Sequence, residues 1–143
     1  FAFLKDTCCD LKQLKAKCEA VKGTALKIFN ANAATLLESL KMGCAGYSGV
    51  MANFHGDLYA WMCSNYHKEP ERAKELMDFL GAASMVECKV YPVNCKYHRQ
   101  LEGVDMSLVT RSKDASLLTE SKRMEIEQFH AITQVYRNRF FGV

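Results

Sequence analysis

At 143 residues and 49% hydrophobic content, the chain can bury one modest core. A net charge of +3, with no long basic run and no interleaving of aromatic and basic residues, argues against a nucleic-acid surface. No apolar stretch approaches the roughly 20 residues that a spanning helix needs, so no membrane segment is expected.

In chain order, the first half alternates short apolar runs with helical periodicity. Phe1 to Lys5 reads as a buried strand. Asp10 is placed to cap a helix over about residues 11–22, with Leu11, Leu14, Cys18 and Val21 on one face and Gly23 as its stop. Ala25 to Phe29 reads as a second buried strand. A helix over about residues 33–42 turns Leu36, Leu37 and Leu40 inward, and Gly43 ends it. Cys44 to Val50, apolar and glycine-punctuated, predicts a third strand. The β-α-β-α-β order is that of parallel strands joined by crossover helices.

The second half is helical. Phe54, Leu58, Trp61 and Met62 mark one amphipathic helix, and Pro70 suits the first turn of the next. There Leu76, Phe79, Leu80, Ala83, Val86 and Val90 keep helical spacing. Pro92 restarts the chain into a short helix ending near Gly103, and residues 104–118 read as a loop. Thr119 is placed to cap a last helix carrying the stripe Ile126, Phe129, Ile132, Tyr136 and Phe140. The chain therefore divides into three βα units over residues 1–67 and a helical extension over 68–143. Three such units leave two expectations open. One is a small open α/β domain. The other is the back end of a (β/α) barrel, which needs eight units and about 250 residues. The chain opens on Phe1 rather than Met, so the native amino terminus is expected upstream, and a missing signal peptide says little about targeting.

The seven cysteines are odd in number and none are spaced C-x-x-C. They favour reduced thiols and a cytoplasmic protein over a disulfide scaffold. His55, His67, His98 and His130 are scattered without zinc spacing, so a metal is not expected. The basic cluster Lys12, Lys15 and Lys17 reads as a solvated helix face, and Trp61 and the methionines as core. Lys96 and His98 fall in the later helices and are assigned to structure or an interface.

Lys5 is the candidate that carries chemistry. Burial at a strand end would strip its ammonium of water, lower its pKa and free the amine to attack a carbonyl. By pattern alone, a surface lysine closing an edge strand is the simpler reading. Thr7 could orient a substrate or merely shape a turn. Asn30 and Asn32 could bind a hydroxyl or favour the turn in which they lie. Ser48 and Gly49 could let backbone N–H groups approach a carboxylate, or serve helix–strand packing. Asn53 fits a helix cap at least as well as a ligand contact.

Taken together, Leu4-Lys5-Asp6-Thr7 with Asp10-Leu11, then Phe29-Asn30, then Gly43 to Gly49 running to Asn53, and last Tyr91 to Lys96 with Gly103, resemble a known family. It is the dihydrodipicolinate synthase and N-acetylneuraminate lyase family of class I aldolases. The resemblance implies strands six to eight of a TIM barrel followed by the family's helical carboxy-terminal extension. It assigns Lys5 as the lysine that forms a Schiff base with pyruvate or a similar 2-oxo acid, and reverses the simpler reading of that residue. It places Thr7, Asn30, Ser48 and Gly49 at the substrate, implies no metal or organic cofactor, and implies a homotetramer or dimer. The family's tyrosine proton shuttle and paired hydroxyl residues would lie upstream. Three departures matter. Ala33 and Ala34 stand where sialic-acid lyases carry acidic residues, Ala31 replaces the usual glycine, and Met51 replaces a common threonine. Sialic acid is therefore a poor expectation for the substrate. The alternatives are a barrel homologue without catalysis, serving as a binding protein, and a small α/β interaction domain.

Overall fold

The computed structural model describes residues 1–142. Three parallel strands, β1 (Phe3–Asp6), β2 (Lys27–Asn30) and β3 (Gly46–Tyr47), form one sheet in the order β1-β2-β3. Lys5 pairs with Phe29 and Asp6 with Asn30, while Phe29 also pairs with Gly46. Helix α1 (Leu11–Ala20) makes the first crossover. Asp10 caps it as expected, accepting from the N–H groups of Lys12 (2.8 Å) and Gln13 (3.0 Å). A 3-10 turn at Ala33–Thr35 leads into α2 (Leu36–Lys41), which makes the second crossover. Gly23 and Gly43, at φ +82° and +106°, take the chain out of α1 and α2 in the left-handed region that glycine enters freely.

The helical half comprises α3 (Ala52–Asn65), α4 (Pro70–Ala83), α5 (Val93–Leu101) and α6 (Glu120–Phe141). The main core joins Leu36 and Leu40 of α2 to Phe54, Leu58 and Met62 of α3, Leu76 and Leu80 of α4, and Phe129 and Phe140 of α6. It draws on residues from both sides of position 67. A smaller cluster of Leu14, Cys18, Ile28 and Cys44 fixes α1 on the sheet. Among the described residues no helix is long and apolar enough to cross a membrane. All seven cysteines are free; Cys18, Cys44 and Cys95 are buried, whereas Cys9 and Cys88 are exposed.

Several expectations are corrected. β1 is not buried: Phe3 is 52% and Leu4 41% exposed, because β1 is an edge strand and, among the described residues, nothing covers its outer side. Helical spacing does not run on to Val90. After α4 the chain tightens into a 3-10 segment, Ser84–Cys88, and Val90 takes φ +62°, a strained conformation for a β-branched residue. In α6 the buried stripe passes through Thr133 rather than Ile132, which is exposed. Thr133 is tolerated there because its hydroxyl donates to the Phe129 carbonyl (2.9 Å). Lys17 is not simply solvated; it pairs with Asp6. Met85 and Met124 lie exposed, outside the core.

Two buried histidines give the fold a pH dependence. Burial pushes the His55 imidazole down to about 3 and that of His98 down to about 4, from an ordinary value near 6.5. The unfolded chain therefore takes up protons at these sites that the folded chain refuses. Stability is complete above about pH 6.5 and falls as the pH drops towards 4, by up to about 1.4 kcal/mol per pH unit for each site. A urea-midpoint series should move steadily down between those limits. A midpoint that stays level until the ordinary carboxylate range would contradict this.

Candidate active site

The carboxyl ends of the three strands lie side by side. The ladder continues past their ends through Ala31 N–H to the Asp6 carbonyl (2.9 Å) and Ser48 N–H to the Asn30 carbonyl (2.8 Å). The segments holding Thr7, Asn30, Ser48 and Gly49 thus share one rim. Lys5 is the third residue of β1, on the strand face it shares with Phe3. Phe3 stacks on Phe29 of β2 with ring centroids 4.4 Å apart. The other face of β1 presents Asp6, whose carboxylate pairs with Lys17 of α1. Lys5 therefore points away from the helix layer. In a closed barrel, whose helices lie outside, that face is the interior. Within the described residues it is exposed, so the burial expected for Lys5 is not supplied by this chain. The reason is that, among the described residues, no layer packs over that face of β1.

Asp6 is the residue the sequence reading missed. It is 4% exposed and accepts the Cys8 N–H (3.0 Å) as well as the Lys17 ammonium. Burial alone would raise its pKa, but the hydrogen bonds from Cys8 and Lys17 outweigh burial and hold the carboxyl below its usual range. The bond to Asp6, more than the slight desolvation that opposes it, keeps Lys17 charged with its pKa raised. An ammonium held in this way is a poor nucleophile. Asp6 thereby fixes the turn that follows Lys5 and ties β1 to α1.

Asn30 is 2% exposed and its amide works within the turn after β2. Its Nδ2 donates to Thr35 Oγ1 (3.0 Å) and its Oδ1 accepts from Asn32 N–H (2.8 Å). The Asn32 side chain in turn accepts from Ala34 N–H (3.0 Å). Thr7 is exposed, and Ser48 and Gly49 are half-buried. A Cβ on Gly49 would fall well inside van der Waals contact of the Tyr47 hydroxyl and the Ala31 carbonyl oxygen, so only glycine fits. The Tyr47 ring stacks on Tyr59 of α3 with centroids 4.0 Å apart, and its hydroxyl is buried without a hydrogen-bond partner. Burial pushes that phenol up to about 12, so it stays protonated at neutral pH. Asn53 lies inside α3 rather than at its cap; its Nδ2 donates to the Val50 carbonyl (3.1 Å) and the Tyr91 hydroxyl (3.2 Å). A cavity of about 450 Å³ opens at the opposite, amino-terminal end of the sheet. Its lining, which includes Lys22, Gly23, Lys27 and Gly43, contains none of these candidates.

The family model described as the dihydrodipicolinate synthetase family matches residues 2–132. The chain belongs to that family. Among solved structures, this family member superposes on a dihydrodipicolinate synthase of Bacillus anthracis at a TM-score of 0.78 and 18% identity, over 92% of this chain and 44% of that one. A prophage protein of the dihydrodipicolinic acid synthase family from E. coli K12, solved with pyruvate, gives 0.80 and 16%, over 94% and 46%. The chloride-inhibited dihydrodipicolinate synthase of Acinetobacter baumannii, also complexed with pyruvate, gives 0.76 and 20%, over 92% and 45%. No curated protein matches the chain. The chain spans under half the length of these solved relatives. Its three-stranded parallel sheet and helices correspond to part of their barrel fold.

Proposed function

We propose that this chain supplies strands six to eight and the carboxy-terminal helical extension of a Schiff-base-forming lyase that acts on pyruvate or a similar 2-oxo acid. The observation that carries this reading is Lys5 near the carboxyl end of β1, on the face turned away from the helix layer, in a chain that the family model matches from residue 2 to 132. Pyruvate in two of the structural relatives supports the substrate class.

The neutral amine of Lys5 attacks the carbonyl carbon of the 2-oxo acid. A C=N bond forms and the carbonyl oxygen leaves as water. The protonated imine then draws electrons from the neighbouring carbon, so that loss of a proton, or cleavage of a carbon–carbon bond, leaves an enamine. In the reverse sense the enamine adds to an aldehyde. Gly49 brings its backbone N–H to the substrate carboxylate, Ser48, whose own N–H is held by the Asn30 carbonyl, offers its hydroxyl beside it, and Thr7 orients the substrate next to Lys5. Asn30 acts by holding the turn that flanks them. Residues on the remaining barrel strands would cover Lys5, remove its hydration and move the proton.

Exchange of the pyruvate methyl protons in D₂O reads enamine formation directly. The full-length protein should incorporate deuterium, and residues 1–143 alone should give little or none. A full-length protein that binds pyruvate without any exchange would favour the reading as a binding homologue. Robust exchange by the isolated chain would contradict the need for the other strands.

A further inference from the structure

Three buried imidazole nitrogens in the helical half have no hydrogen-bond partner and lie close together: Nδ1 and Nε2 of His98 and Nδ1 of His130. His98 is 0% exposed, and its ring meets that of His130 with centroids 5.1 Å apart. A neutral imidazole carries one donor and one acceptor, and leaving them unmet in a core costs about 1–3 kcal/mol for each group. Buried orphans of this kind call for an occupant such as an ion or a water. Glu102 completes the group. It follows His98 by four residues at the end of α5 and so shares its face. One ring nitrogen of each histidine and one Glu102 oxygen lie within 4.8 Å of one another. His55, equally buried and unpartnered, sits among Tyr59, Phe79 and Phe129 and has no place in that group.

We propose that His98, Glu102 and His130 form a binding site for a divalent transition-metal ion of the Zn²⁺ type, separate from the Lys5 rim. Two imidazoles and one carboxylate are a three-ligand zinc set that leaves further positions open. Zinc ligands bonded at about 2.0–2.2 Å lie roughly 3.3 Å apart, so the three side chains close inwards by about an ångström when the ion enters.

The surrounding charges set the character of the site. Glu102 also pairs with Arg99 and Arg137. Arg137 has a second partner in Asp57, to which its Nε donates at 2.6 Å, so it stays anchored when a Glu102 oxygen turns to the ion. Glu102 and His130 also line a cavity of about 480 Å³, together with Arg99, Leu101, Gln134 and Arg137. Two guanidinium groups there favour an anion as the exchangeable fourth ligand.

Calorimetric titration of the metal-free full-length protein with ZnCl₂ tests the site, with CoCl₂ and its visible spectrum identifying the donors. One equivalent should bind, without the intense near-ultraviolet band of thiolate ligation. His98→Phe, which keeps the aromatic packing, and His130→Gln, on the half-exposed ring, should each weaken binding by at least about 100-fold. Circular dichroism checks both folds, and His130→Gln decides the matter if His98→Phe fails to fold. No saturable Zn²⁺ binding, binding equal in the folded variants and the parent, or a thiolate band would each overturn the proposal.

Discussion

Lys5→Ala in the full-length protein is expected to abolish borohydride trapping of pyruvate and to lower turnover by roughly 10³-fold or more. The size of the loss follows from the chemistry, since no other group can supply the covalent imine at that position. Lys5→Arg should fail as completely, because a guanidinium remains charged and cannot attack a carbonyl. Lys17, the other lysine tied to β1, cannot substitute. It is engaged by Asp6 and held protonated. A parent protein that traps no pyruvate would instead mark the chain as part of a binding homologue, with nothing for the mutation to remove.

Gly49→Ala should cost about 3 kcal/mol of stability, read as a lowered urea midpoint, and should remove pyruvate binding with it. The added methyl group would collide with the Tyr47 hydroxyl and the Ala31 carbonyl oxygen. Neither neighbour can retreat easily. Tyr47 is clamped against Tyr59, and Ala31 is hydrogen-bonded through its N–H to Asp6. Relief must come from moving the turn after β3, which carries the Gly49 N–H proposed to meet the carboxylate. A Gly49→Ala variant with parental stability and parental pyruvate affinity would show that this turn has slack and is not the carboxylate site.

Local signals make the alternation of strands and helices legible in the sequence. Asp10 caps α1 through side-chain bonds to residues two and three positions on, Gly23 and Gly43 stop their helices at positive φ, and Pro70 opens α4. Each is decided within a few residues of chain. What goes unread depends on partners distant in sequence. Lys17 looks like one more solvated lysine until Asp6, on another element, claims it. His98 and Glu102 share a face of α5 four residues apart, but His130 reaches them only because α6 packs on α5, and its distance in sequence announces no such group. The exposure of β1 escapes the sequence for a similar reason. Its apolar run resembles a core strand, yet the described residues contain nothing that covers its outer side. The motif around Lys5 points to the family that the match over residues 2–132 shows, whereas the cover proposed for that lysine cannot be read from its own strand.

The most direct test is to reduce the full-length protein with borohydride in the presence of pyruvate, digest it and locate the adduct by mass spectrometry. The account predicts a single reduced pyruvate adduct on the peptide that contains Lys5. An adduct confined to another lysine, or no adduct under conditions in which pyruvate is turned over, would contradict it.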